Sequence, residues 1–258
     1  MKPRIAVHKF SSCDGCQLAF LNLGEDLLTL FELFDVRHFA EAGPVEPGAG
    51  VDISFIEGSI STPDELERIR EVRAHSRYLV TIGACATAGG VQALRNLADS
   101  ADWMAAIYTS PEHIGTLASV APVSEYVKVD MELWGCPVNS RQLLAAIGSL
   151  LAGVVPRDEP DSVCLECKRQ GHACVMVTRG LACMGPVTRT GCGALCPGVN
   201  RGCYGCYGPC EKSSTEVLAH WFSGLGLRPE QIARRFLAFT PEAPAFYSAG
   251  RSRLPPDD

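Results

Sequence analysis

A chain of 258 residues with 47% apolar content is long enough to bury a large α/β core and to carry a smaller unit beside it. A formal charge of -6 and a pI near 5.6 give no broad basic surface, which argues on electrostatic grounds against nucleic acid and anionic membranes as partners. No run reaches the roughly 18 apolar residues of a membrane span, and Met1 to Arg4 enters a strand-like run without a signal-peptide pattern or twin arginine, so a cytoplasmic protein is expected.

In chain order, β-rich runs are predicted at Ile5 to Phe10, Val51 to Glu57, Tyr78 to Gly83 and Tyr126 to Asp130. Helical segments are predicted at Gln17 to Phe34, Thr62 to Ala74 and Gly90 to Leu97. The second opens on Ser61, Thr62 and Pro63, a favourable cap followed by proline, with acidic residues early and arginines late. Strands alternating with helices predict a doubly wound parallel sheet. Ligands of such sheets gather beyond the carboxyl ends of the strands. Cys13 and Cys16 follow the first run, Cys85 the third and Cys136 the fourth, so four thiols are expected at one edge.

Gly83-Ala84-Cys85, Gly89-Gly90 and Gly135-Cys136-Pro137 suit loops that bring backbone close to a ligand. Four thiolates at one point match a [4Fe-4S] cubane or a structural zinc. Separately, Cys13 and Cys16 also read as a thioredoxin-type dithiol, and Cys85 and Cys136 as small buried hydrophobes. Glu57 and Ser59 stand at the end of the second run and read as solvated loop positions with a conceivable part in polar contacts or proton movement.

Periodicity stops at residues 153 to 160, GVVPRDEP, which sets a domain boundary. Residues 1 to 155 form the first expected domain, 156 to 212 a cysteine-rich domain, and 213 to 258 a helical tail. Of thirteen cysteines, nine lie between Cys164 and Cys210. An odd number of cysteines without an export signal argues for metal over disulfides. The segment has too little apolar periodicity to fold around anything else. Eight of the nine make two sets of four and one is left over; spacing alone leaves iron-sulfur and zinc open. His172, alone in a polar loop, reads as a solvated side chain. The stretch Ser213 to Leu237 reads as helical with Val217, Leu218, Trp221 and Phe222 on its apolar face, and the segment from Pro241 onward as fraying.

The motifs SCDGCQ (12 to 17), GACATAGG (83 to 90), GCP (135 to 137), CMGPVTRTGCGALCP (183 to 197) and CYGCYGP (203 to 209) together resemble the small, electron-transferring subunit of [NiFe] hydrogenases, over residues 5 to about 210. The resemblance implies a flavodoxin-like domain followed by a small irregular iron-sulfur domain. It implies that Cys13, Cys16, Cys85 and Cys136 hold a proximal [4Fe-4S] cluster. Cys192, Cys196, Cys203 and Cys206 hold a medial one, and Cys164, Cys167, Cys174 and Cys183 a distal one. In periplasmic members the distal set opens with a histidine, where this chain has Cys164, and a proline stands where it has Cys196. All-cysteine ligation resembles the cytoplasmic NAD(P)-linked and sulfhydrogenase types. The implied partners are a [NiFe] large subunit and flavin and iron-sulfur subunits of an NAD(P)-reducing module. No role follows for Cys210. Two other readings are a zinc-stabilised interaction module and the related subunit of respiratory complex I, which is expected to carry adjacent cysteines that this chain lacks.

Overall fold

Five parallel strands, β1 (Arg4–Lys9), β2 (Asp35–Phe39), β3 (Val51–Glu57), β4 (Ser76–Ile82) and β5 (Met131–Leu133), form one sheet in the order β2-β1-β3-β4-β5. This is the flavodoxin-like order, in which the direction of winding reverses between β1 and β3. The computed structural model describes residues 2–46, 48, 50–154, 156 and 161–255. It divides into two compact units, Met1–Pro156 and Arg157–Asp258. The boundary expected between residues 155 and 156 abuts Val155 and residues 157–160, which lie outside the described residues.

Alternation along β1 decides what each face buries. Ile5 and Val7 turn to a core shared with Phe20, Leu30, Phe39, Phe55, Leu143 and Ile147. That core takes residues from α1 (Gly15–Leu21), α2 (Glu25–Leu33) and α6 (Ser140–Leu151). On the other face Phe10, Ile56 and Leu79 meet Ile69 and Val72 of α3 (Pro63–Ala74). The central strands are thus covered on both faces, as a parallel sheet requires.

Thr62 begins α3 with a full capping box: its hydroxyl accepts from the Glu65 amide at 3.3 Å, and the Glu65 carboxylate accepts from the Thr62 amide at 3.2 Å. α4 (Gly83–Ala88) and α5 (Ser100–Ile107) complete the helices of this unit. The expected helix over 17 to 34 is two helices, because Gly24 adopts φ 64° between them. Residues 91 to 97 form a 3-10 helix. The fourth strand expected at Tyr126 to Asp130 is instead Met131–Leu133: Tyr126, Val127 and Val129 pack sideways against the α3-side core, and Asp130 accepts from the Leu79 amide at 2.9 Å just before pairing begins.

In the second unit α7 (Val163–Arg169), α8 (Val175–Arg179) and α9 (Leu195–Gly198) are short turns among loops. They precede a trio of packed helices, α10 (Thr215–Gly224), α11 (Pro229–Leu237) and α12 (Pro244–Arg251). Of the tail expected to fray from Pro241, Pro244–Arg251 is a packed helix, and residues 256–258 lie outside the described residues. Phe246 is fully buried with its ring 5.7 Å from that of Phe236. The apolar face expected on α10 also needs correction: Leu218 and Phe222 are buried, whereas Val217 is 72% and Trp221 51% exposed. Among the described residues no helix is long and apolar enough to cross a membrane.

Removing the cap with Thr62→Ala is expected to lower stability by about 1 kcal/mol, read as a shifted denaturation midpoint, with iron content unchanged.

Candidate metal centres

The four N-terminal cysteines converge because backbone contacts pin their loops to one another. Past β1, the chain pairs with the segment past β3: the Phe10 amide donates to the Glu57 carbonyl at 2.8 Å, and the Ser59 amide to the Ser11 carbonyl at 2.9 Å. Cys13 lies in this loop, exposed, and Cys16 is buried in the first turn of α1. Past β4, the Ala84 amide donates to the Gly135 carbonyl at 2.6 Å, which ties the Cys85 helix to the Cys136 loop. A Cβ at Gly15 would lie 3.4 Å from the Cys13 sulfur and 3.6 Å from Pro137, the residue after Cys136. Gly83, at φ +85°, leaves no room for a Cβ beside the Cys16 sulfur, and Gly90, at φ +63°, would carry one 2.5 Å from the Cys85 sulfur. Glycine at both positions is a steric requirement of the gathered sulfurs.

Electrostatics report the same proximity. Burial pushes the Cys85 thiol up to about 12, and Cys136 and Cys13 add to the rise. Burial likewise raises Cys16, with Glu57, Cys85 and Cys136 contributing, and raises Cys136, with Cys13 contributing. Thiolates here are costly unless a cationic group shares their charge, and iron bound by thiolate is such a group. The donor set fits a [4Fe-4S] cluster.

Two supporting side chains were not legible as such. Glu57 and Ser59, expected in a solvated loop, are 2% and 0% exposed. The Glu57 carboxylate accepts from the Cys16 amide at 2.9 Å and the Gln17 amide at 3.3 Å, which fixes the start of α1, and burial holds the carboxyl above its usual range. Gln92 spans the site: its Oε1 accepts from the Cys85 thiol at 3.3 Å while its Nε2 donates to the Ser11 carbonyl at 3.0 Å. Its only signal in the sequence is its position just past Gly89-Gly90.

In the second unit Cys164 and Cys167 sit on one turn of α7, Cys174 caps α8, and Cys183 is buried. Burial pushes Cys164 up to about 11, with Cys183, Cys167 and Cys174 adding to it, so these four are neighbours. Cys192 is raised by burial with Cys196 contributing, and Cys203 by burial with Cys183 and Cys206 contributing. Cys183 also acts on Cys196. It therefore stands between the two sets, and the Cys203 amide donates to its sulfur at 3.1 Å. Gly185 leaves a gap whose Cβ would touch the Cys164 and Cys183 sulfurs at 3.4 Å each. This donor set is likewise all sulfur and fits iron-sulfur ligation. Cys210 is buried with its thiol 3.8 Å from the Pro186 carbonyl, and His172 shares a hydrogen bond of 2.8 Å with Gln170.

Residues 13–150 match the family described as NADH ubiquinone oxidoreductase, 20 Kd subunit. The chain is 32% identical over 236 residues to the sulfhydrogenase 2 delta subunit of Pyrococcus furiosus, covering 92% of this chain and 98% of that protein. It is 29% identical over 185 residues to the delta subunit of the NAD-reducing hydrogenase HoxS of Cupriavidus necator, covering 63% of this chain and 84% of that one. Among solved structures, a chain of an NAD+-reducing [NiFe]-hydrogenase in its H2-reduced state superposes with a TM-score of 0.56 at 29% identity, covering 61% of this chain and 95% of that chain.

Gly83→Ala is expected to displace the Cys16 sulfur and to cost one cluster, about four irons per chain, measured by iron and sulfide analysis. Gly115→Ala, where an added Cβ meets nothing within 4 Å, is expected to keep full iron.

Proposed function

The chain belongs to the family of the NADH ubiquinone oxidoreductase 20 Kd subunit, together with [NiFe] hydrogenase small-subunit-like proteins, and from that premise we propose that it is the electron-transfer subunit of a cytoplasmic [NiFe] hydrogenase. The observation that carries this reading is the gathering of Cys13, Cys16, Cys85 and Cys136 at the carboxyl edge of the sheet, with glycine wherever a Cβ would collide with sulfur. In this proposal those four hold the proximal [4Fe-4S] cluster. Cys192, Cys196, Cys203 and Cys206 hold the medial cluster, and Cys164, Cys167, Cys174 and Cys183 the distal one. The clusters supply one-electron transfer when bound.

The rest is the work of this chain's own groups. Burial keeps water from Cys16, Cys183 and Cys203, and the Glu57 carboxylate, by accepting the Cys16 and Gln17 amides, holds Cys16 in place. Gln92 Nε2, donating to the Ser11 carbonyl, ties the segment past Gly90 to the Cys13 loop. The Cys203 amide donates to the Cys183 sulfur, an interaction that favours the reduced form of a thiolate-bound centre. Cys13 and the 51% exposed Leu18 face outward, and in this reading the nickel-bearing large subunit docks there. Electrons then leave through the second unit toward flavin and iron-sulfur subunits of an NAD(P)-reducing module. The domains follow this division: residues 1 to 155 with the proximal cluster, 156 to 212 with the other two, and 213 to 258 as the helical closing segment.

The anaerobically isolated complex is expected to contain about twelve irons and about twelve sulfides in this chain; stoichiometric zinc with little iron overturns the reading in favour of a zinc-stabilised module. Cys167→Ser puts a harder, poorer ligand on the distal set. Hydrogen-deuterium exchange is then expected to persist, because it needs only the partner's centre, while hydrogen-dependent nucleotide reduction collapses. Undiminished nucleotide reduction removes the distal assignment. Cys210→Ser is expected to retain all iron, and loss of one cluster's worth shows that the partition of ligands is different.

A further inference from the structure

At the four-thiol site the Gln92 amide, which can donate to only one of two groups, lies between the Cys85 sulfur and the Ser11 carbonyl. Gln92 sits in the first turn of the 3-10 helix over 91 to 97, which the Ala93 amide joins to the glycine pair by donating to the Gly90 carbonyl at 3.1 Å. Its Oε1 lies 3.3 Å from the Cys85 sulfur, and its Nε2 lies 3.0 Å from the Ser11 carbonyl oxygen. The Gly90 backbone borders both partners: a Cβ there would lie 2.5 Å from the sulfur and 2.9 Å from Oε1. The turn therefore presses this amide against this sulfur.

That orientation suits a thiol, whose S–H donates to Oε1. A cysteine bound to iron has no S–H, and its sulfur is an acceptor carrying negative charge. Oε1 then faces a second acceptor, which repels it. Half a turn about the last side-chain bond exchanges Oε1 and Nε2 at nearly the same positions and sets an N–H on the sulfur. The turned Oε1 faces the Ser11 carbonyl instead, which is uncharged. That carbonyl keeps other donors, the Ser59 amide at 2.9 Å and the Ser59 hydroxyl at 3.4 Å. A hydrogen bond to an ionised acceptor is roughly twice as strong as one to a neutral acceptor, so with iron on Cys85 the sulfur wins the amide.

We propose that Gln92 is a positioning residue that sets the reduction potential of the four-thiol centre, its amide turning from the Ser11 carbonyl to the Cys85 sulfur when the site takes iron. The proposal rests on the reading that Cys13, Cys16, Cys85 and Cys136 hold a [4Fe-4S] cluster. The bond from Gln92 to Ser11 is then the state of the chain before loading, and the Ser59 amide alone holds the Cys13 loop afterwards. One-electron reduction adds negative charge that the ligand sulfurs share, so a bond donated to Cys85 strengthens on reduction and raises the potential. An Oε1 left facing the sulfur has the opposite sign and lowers it.

The test is a redox titration of the cluster-loaded full chain at neutral pH, in which the paramagnetic signal of each reduced cluster is followed and iron and sulfide are counted in the same samples. Gln92→Leu has no polar end, and Gln92→Glu keeps the size of the side chain without its N–H. Each is expected to lower one midpoint and leave the others in place. The expected shift is about tenfold in the reduction equilibrium, about 59 mV for one electron. In the native chain labelled with 15N in its glutamine side chains, electron-nuclear double resonance is expected to show a nitrogen coupling to the reduced centre that Gln92→Glu abolishes. A side chain that only holds the loop in shape moves neither reading. Full iron with unmoved midpoints in both variants, a midpoint raised by Gln92→Leu, or a native spectrum without that coupling overturns the proposal alone. About eight irons in place of about twelve in the native chain, with no cluster on the four N-terminal thiols, overturns the reading beneath it as well.

Discussion

Parallel pairing of β3 with β1 on one side and β4 on the other is the constraint on which the N-terminal unit depends. Register His8 with Ile56 and Lys9 with Glu57, and Ile56 with Thr81 and Glu57 with Ile82, brings three strands to an end at one level. Every loop that carries a cysteine begins from that level. The hydrogen bonds that follow, from Ser59 to Ser11 and from Ala84 to Gly135, extend the pairing past the strands into the loops. The sulfurs are therefore positioned by main chain, and their side chains have little freedom left to lose when they take a ligand.

Packing against bare sulfur has a steric price, and glycine meets it. At Gly83 and Gly90 positive φ and the nearness of a cysteine sulfur act together, so no other residue satisfies either condition there. In the second unit Gly185 leaves the space between two sulfurs, while Gly202 admits the Ala182 carbonyl. This explains why a segment poor in apolar periodicity still has a defined course. Its loops close on one another and on sulfur around a few buried apolar side chains, Val163, Val175, Met184, Val187 and Tyr207, and α10, α11 and α12 add a larger apolar cluster beyond it.

Much of this was legible because sulfur chemistry leaves discrete marks. The β-rich run that becomes β1, the cap of α3 and the position of Cys13, Cys16 and Cys85 after β-rich runs follow from local pattern and stand in the structure, whereas Cys136 follows Met131–Leu133 and not the run expected before it. What escaped the sequence was set by tertiary contact. β2, with Asp35, Arg37 and His38, has the polar composition of an edge and gives no apolar run. Tyr126 to Val129 has strand propensity but finds a core to pack against before it finds a partner strand. On α10 the period alone did not say which neighbours would be covered, and Trp221 stays outside. Glu57 looked like a solvated residue because its partners, the amides of Cys16 and Gln17, are about forty positions away.

The four-thiol site also has a temporal consequence. Its sulfurs span residues 13 to 136, and the last follows β5, the edge strand completed only after β4 has been laid down. During synthesis the first two cysteines emerge long before their partners exist, and only long-range closure of the sheet joins them. Cys164, Cys167, Cys174 and Cys183, by contrast, lie within twenty residues and need no sheet to meet. With the ligand sets proposed above, a newborn chain has one quartet within reach almost as soon as it is made and one that must wait for the fold, and iron destined for the sheet-edge quartet would meet a nearly finished domain.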